Sequence, residues 1–327
     1  MNPELLSATY LNHFSRYAEE QGIDLQPFWK QVDHNESEPF IKVDTLKQLI
    51  HYMWKKGCPR SLGLFVGRNI SLSSHGHVGY GLSHATNLED SLVFLCEYYK
   101  IRAQILSFYI EEDEENIYLC IKPLADWGDI DVVLYETIAA LVFNIIKFAI
   151  GSKVEECVLE LPFEEPDWSD LYGSCLPKRI RYSDGVLRYG MPLEWKAITC
   201  VSADPVTAEM AAQQCKNELN RLLESRTLSD KVNELILSSV QFELSLEQTA
   251  KTLYMSKSTL IRKLKQEGKT FKLLMEDAKK KNAQYLLKKT DQKIDVIALQ
   301  LGYEDVSNFG RSFKRWFGCA PSQYREG

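Results

Sequence analysis

An internal repeat constrains this chain more than any other feature. Ala250-KTLYMSKSTLIRKLKQE-Gly268 is followed by Ala298-LQLGYEDVSNFGRSFKRWF-Gly318. Ala250 aligns with Ala298 and Leu253 with Leu301 at a spacing of 48. Ser258, Leu260, Arg262, Leu264 and Lys265 then align with Ser307, Phe309, Arg311, Phe313 and Lys314 at a spacing of 49. Each copy reads as a short helix, a tight turn and a second helix, the turn being one residue longer in the second copy. Alanine suits the point where two helices approach closely, and the apolar residues at i and i+4 pin each second helix to a core. Ser245-LEQ, ahead of the first copy, has the form of a capping box.

A purely structural helix accepts almost any polar residue on its wet side, yet here that side is mostly cationic. Arg262 and Arg311 stand two positions beyond the first apolar pin and so point outward. Ser258, Ser307 and Asn308 occupy first-turn positions, where short polar side chains reach a base edge or a phosphate. Lys265 and Lys314, near the helix ends, suit a backbone phosphate. With Lys257, these seven residues form the candidate DNA-binding set. Phe309, Phe313, Trp316 and Phe317 are expected in the core and not stacked on bases. Between the copies, Thr270-FKLLMEDAKKKNAQYLLK-Lys289 lacks Gly and Pro. As a helix it spans about 30 Å, close to the roughly 34 Å between recognition helices in successive major grooves. Its Lys279-KK run reads equally as phosphate contacts or as the wet side of the rod.

Charge supports the same division. The chain's formal net charge of −6 hides an asymmetry: Ser229–Gly327 holds 18 Lys+Arg against 12 Asp+Glu, leaving 21 against 33 of the totals of 39 and 45 before it. A basic last third behind an acidic remainder points to a polyanion-binding module joined to something with another task. The start has no basic segment followed by an apolar core, so secretion is not expected. The apolar run over 132–150 is interrupted by Glu136, Asn144 and Lys147, so burial inside a domain is expected in place of membrane insertion. The eight cysteines form no Cys-x-x-Cys pair and read as reduced thiols of a cytoplasmic protein.

The first two-thirds mixes helices and strands without βαβ alternation. Leu5, Leu6, Leu11 and Phe14 suggest one helix, and Leu46, Leu49, Ile50, Met53 and Trp54 another, with Asp44 as its cap. Thr86-NLEDSL opens a helix running to about Lys100. Hairpins are expected over 105–121 and over 179–190, the second turning at Ser183-DG. Asp204 and Pro205 open a helix that connects to the all-helical end. His75, His77 and His84 match no metal-ligand spacing, the glycines of 76–81 lack a dinucleotide-binding context, and no nucleophile–base constellation appears. No catalytic residue, metal or cofactor is assigned, and an enzyme is not expected.

The last hundred residues resemble the AraC/XylS family of bacterial transcription regulators. Ile297-ALQLGYEDVSNFGRSFKRWFGCAPSQY-Arg325 is similar to that family's signature over nearly its whole length, and the likeness reaches back to about Leu228. Two departures are Ala320, where Ser or Thr usually precedes the proline, and Tyr254, where the turn commonly has Gly. Gly76-HVGYGLSHATNLEDSLVFLCEYYK-Ile101 resembles the signature of an effector domain sometimes labelled arabinose-binding, with Asn87 and Ser91 in place of the commoner residues. The resemblance implies an α+β N-terminal effector and dimerisation domain over 1–203, a helical linker over 204–228, and an all-α DNA-binding domain over 229–327, with two helix-turn-helix motifs joined by a long helix. It further implies a transcription regulator, more an activator than a repressor. Its expected partners are double-stranded DNA, RNA polymerase, a small-molecule effector without assigned contact residues, and a second copy of the chain. Two other readings stay open: an enzyme whose helical end serves localisation, and a protein–protein adaptor using the basic face.

Overall fold

The computed structural model describes residues 5–32, 38–224, 227–239, 242–290 and 292–326. The chain divides into two compact units, with the change between Leu222 and Leu223.

The first unit opens with β1 (Leu5–Ser7), α1 (Ala8–Glu20), α2 (Gln26–Trp29), β2 (Phe40–Lys42) and α3 (Val43–Lys55). It continues through α4 (Leu62–Asn69), α5 (His77–His84), α6 (Leu88–Tyr98), β3 (Leu106–Glu112), β4 (Asn116–Pro123) and α7 (Asp131–Ile150). The strands β5 (Val158–Leu161), β6 (Arg179–Tyr182) and β7 (Leu187–Pro192) precede α8 (Pro205–Glu224). β1 pairs antiparallel with β2, and the remaining strands form one sheet in the order β3-β4-β7-β5-β6. The apolar α7 is the core: 14 of its residues are buried, as its composition requires in water. Among the described residues, one helical stretch, Gly128–Glu156, is long and apolar enough to cross a membrane, and 72% of its most apolar window is buried in the unit. α4 presses on α7 through Gly63 and Gly67, where an added Cβ would stand 2.1 Å from the Val133 carbonyl oxygen and 2.3 Å from that of Thr137. The sheet is tied to the same helix by the buried Tyr189, whose hydroxyl donates to Ala139 O at 2.6 Å.

Several local expectations are corrected. Leu5–Ser7 is a strand and not the start of the first helix: it pairs antiparallel with Phe40–Lys42 on one side, while Ser7 N donates to Arg102 O at 2.7 Å and Leu5 O accepts from Gln104 N at 2.9 Å on the other. Lys42 occupies the N-cap of α3 and Asp44 lies in its first turn. The 179–190 segment is not a hairpin. β5 lies between β6 and β7, parallel to β6 and antiparallel to β7. Buried Leu159 and Leu161 claim that central place, and Arg188 of β7 grips Glu160 of β5 with Nε at 2.6 Å and Nη2 at 3.1 Å. The helix opened by Asp204 is capped as expected, Asp204 accepting from Val206 N at 3.1 Å and Thr207 Oγ1 at 2.7 Å. It is packed on the first unit, with Cys215 in the core and Leu219 and Leu222 against it.

The second unit is helical: α9 (Leu228–Ser238), α10 (Leu246–Thr252), α11 (Lys257–Gln266), α12 (Phe271–Lys289), α13 (Ile294–Gln300), α14 (Val306–Phe317) and α15 (Pro321–Glu326). It has two small cores. Val232, Ile236, Ala250, Leu260, Leu264 and Ala278 form one, and Ala283, Leu287, Ile297, Ala298, Leu301, Phe309 and Phe313 form the other. α12 contributes to both, its N-terminal half bracing the first and its C-terminal half the second.

Candidate nucleic-acid interface

The two copies of the repeat share the caps that flank the turn between their helices. α10 and α13 each have seven residues, start 48 residues apart, and end in C-cap residues Leu253 and Leu301 with φ −87° in both. The N-caps of α11 and α14 are Ser256 and Asp305, 49 apart, and both accept a hydrogen bond from the backbone N–H three residues on, at 3.2 Å to Thr259 and 2.6 Å to Asn308. The extra residue of the second turn therefore lies between Leu301 and Asp305, where the sequence register shifts. Ser245 forms its capping box with Gln248, through bonds of 3.1 and 2.8 Å. Ala250 and Ala298 are buried where the helices meet, and Leu260, Leu264, Phe309 and Phe313 are 0–1% exposed. Trp316 and Phe317 are half-buried and pack against the second core.

With that apolar face inward, the opposite face of each second helix is left to solvent. Lys257, Ser258, Arg262 and Lys265 on α11 are exposed, as are Ser307, Arg311 and Lys314 on α14; Asn308 is half-buried. The sequence thus sorted core from surface on both helices. Their electrostatic surroundings differ in ways it did not reveal. Lys257 is in a close ion pair with Glu247 of α10, which holds that carboxyl below its usual range. The Ser256 hydroxyl bonds to those of Ser258 at 3.0 Å and Thr259 at 2.8 Å, forming a polar knot on the first turn of α11.

On α14 a chain of bonds orients the guanidinium. Asp305 accepts from the Asn308 side-chain amide at 2.7 Å, and the Asn308 carbonyl accepts from Arg311 Nη2 at 2.6 Å. A charge-assisted bond of this kind fixes the direction of a long cation before any ligand arrives. Arg315, equally cationic in sequence, is committed elsewhere: with Trp316 Nε1 it donates to Glu276 of α12, at 2.6 and 2.8 Å. The indole and the guanidinium together hold that carboxyl below its usual range. The lysine run on α12 is also engaged. Lys279 Nζ lies 4.8 Å from the Tyr303 ring centre and donates to Gly302 O, and Lys280 lies 5.3 Å from the Phe317 ring. Lys281 pairs with Asp277 at 3.4 Å. Asp305, Glu247 and Glu276 were missed in the sequence. For Asp305 the signal was there, a short acidic residue three positions before Asn308, as in a helix cap. The partners of Glu247 and Glu276 come from separate helices and leave no local pattern.

The histidines of the first unit are bound to separate partners: His75 to Tyr10 OH at 2.9 Å, His77 to Glu218 at 2.6 Å, and His84 to Ser83 and Tyr80. Among the described residues no group of three or more His, Cys, Asp or Glu is arranged to hold a metal ion.

A profile described as the arabinose-binding domain of AraC transcription regulators matches residues 24–189, half of the chain, and a helix-turn-helix domain profile matches residues 249–327. The chain is 28% identical over 266 residues to the ornithine utilization regulator of Pseudomonas aeruginosa, covering 81% of this chain and 78% of that one. Over 100 residues, 31% of this chain and 36% of the other, it is 32% identical to the transcriptional activator PerA of Escherichia coli O127:H6. A solved structure, the transcriptional regulator CdpR of Pseudomonas aeruginosa, overlays on it with a TM-score of 0.49 and 17% identity over 98% of both chains. The fold and the paired motifs define a DNA-binding transcription regulator with an N-terminal ligand-binding domain. The chain belongs to the AraC family.

Proposed function

We propose that the second unit reads duplex DNA with α11 and α14 in major grooves, using Lys257, Ser258, Arg262, Lys265, Ser307, Asn308, Arg311 and Lys314. The observation that carries this reading is the equivalence of Arg262 and Arg311: exposed, six residues beyond the N-caps of two helices whose N-cap side chains bond alike, braced by one rod. Arginine offers the paired donors that match guanine, while Lys265 and Lys314 suit phosphates. Lys257 serves as a weaker phosphate contact, since Glu247 shares its charge. α12, at 19 residues, spans roughly 28 Å, which suits readers placed near one helical turn apart.

The protein acts as an activator, a role for which the likeness to PerA speaks, and RNA polymerase is its further partner. It is a regulator and not an enzyme, and it works in the cytoplasm. Residues 1–203 bind the effector and a second copy of the chain, 204–228 link the parts, and 229–327 bind DNA. An effector acts only by binding two arrangements of the protein with different affinity. Selection of duplexes from a random pool by the full-length protein tests the reading. Enrichment of a site with two separated submotifs is expected, and failure to enrich any sequence contradicts it. Native mass spectrometry of the same preparation reports the dimer and any retained small molecule.

A further inference from the structure

Among the described residues, two that are not glycine have a left-handed backbone: Phe242 (φ 55°) and Tyr254 (φ 54°). Phe242 is packed against both cores of the second unit, so the contacts of its ring offset an unfavourable backbone. Tyr254 has no such compensation, being 98% exposed. The repeat provides a reference for this position. Tyr254 corresponds to Gly302, at a spacing of 48 and with φ 68°. Its N–H donates to Lys251 O at 3.1 Å, as that of Gly302 donates to Leu299 O at 2.9 Å. The next N–H closes on the alanine carbonyl in each copy, Met255 to Ala250 at 2.8 Å and Tyr303 to Ala298 at 3.0 Å. The same turn is thus built once with glycine, which meets no Cβ clash there, and once with a bulky residue that does. Folding of the unit gives no reason for the tyrosine and is disfavoured by it.

Its neighbours indicate what it touches. Ser256, the N-cap of α11, is two residues on, and Lys257 three. Three residues of chain span at most about 11 Å, so the phenol stays near whatever backbone lies at the first turn of α11. The cation of that turn, Lys257, is already paired with Glu247, which weakens its own hold on a phosphate. We propose that Tyr254 is a DNA-contact residue of the first reader, its hydroxyl donating to a phosphate oxygen and its ring packing on the adjacent deoxyribose. The contact rests on the assignment of α11 as a reader. Being uncharged and directed at the backbone, it strengthens binding to all sequences without releasing a further counterion. Gly302 gives the second reader no such arm, so the two grip the duplex unequally.

The test uses full-length Tyr254→Gly and Tyr254→Phe. Calorimetry is expected to show the second unit of Tyr254→Gly melting a few degrees higher, because the backbone clash is relieved. Its affinity for a duplex selected by the wild type, and for a scrambled duplex, should fall by roughly two- to tenfold. The slope of log affinity against log salt should stay unchanged, and Tyr254→Phe should lose less. A stabilised Tyr254→Gly that binds both duplexes like the wild type overturns the contact, and so does a destabilised one, which would show the tyrosine held by the fold. If the wild type itself binds neither duplex, the assignment of α11 falls and takes this contact with it.

Discussion

Arg311 offers the sharpest perturbation, because its orientation depends on one visible bond. Arg311→Ala removes a guanidinium whose base contact is worth about 1–3 kcal/mol of discrimination, roughly 5- to 150-fold in affinity. The exposed side chain contributes little to folding, so this loss should appear without a change in melting. Asn308→Ala keeps the arginine but removes its 2.6 Å acceptor. The helix cap survives, because Asp305 accepts from the backbone N–H of Asn308 and not only from its side chain. Loss of one orienting bond costs about 0.5–1.5 kcal/mol of binding. In the double variant most of that second loss should vanish, since Asn308 then has no guanidinium to aim. Its surviving part measures any direct contact of Asn308 with DNA. A coupling of about 0.5–1.5 kcal/mol is therefore expected. Gel-shift titrations on the selected site and on variants of one half-site supply the four affinities. Strict additivity would refute the orienting role. Equal losses by Arg311→Ala on every sequence would show that it meets phosphate and not a base.

Other expectations follow from the same geometry. Lys265→Ala should weaken all duplexes alike and lower the salt slope by about 0.9, which titrations at two salt concentrations detect. Phe313→Ala removes a side chain that is fully buried in the second core and should cost about 3–5 kcal/mol of that unit's stability by calorimetry. In the first unit, Glu136 is buried in α7, and burial raises its pKa to about 7 despite bonds from Trp168 and Tyr172. A carboxyl with a folded pKa above its unfolded one stabilises at low pH, and that contribution is lost as pH rises from about 4.5 through 7. Relative to the wild type, Glu136→Gln should flatten that fall in denaturant titrations; an unchanged pH profile would refute the assignment.

Much of the second unit was legible in sequence because its determinants are local. Caps, i,i+4 pins and a one-residue change of register depend on neighbours a few positions apart, and the repeat gave each assignment an internal control. Ala250, Ala298, Leu260, Leu264, Phe309 and Phe313 could be placed in the core on spacing alone. The first unit was less readable because its sheet is assembled from distant strands. Ser183-DG looks like a hairpin turn, and nothing near it announces that Val158–Leu161 will enter between the flanking strands. The chain Asp305–Asn308–Arg311 was half-visible as a cap. The ties of Lys257 to Glu247 and of Arg315 to Glu276 join separate helices, so charge counting treated all these cations as equally available.

The central claim is that two equivalent helices on one rod read successive turns of a duplex. Base-pair scanning of a selected site with Arg262→Ala and with Arg311→Ala tests it most directly. Each variant should lose discrimination at its own base pair, the two positions lying about 10 base pairs apart. Loss at one shared position, or at positions half a turn apart on opposite faces of the DNA, would contradict it.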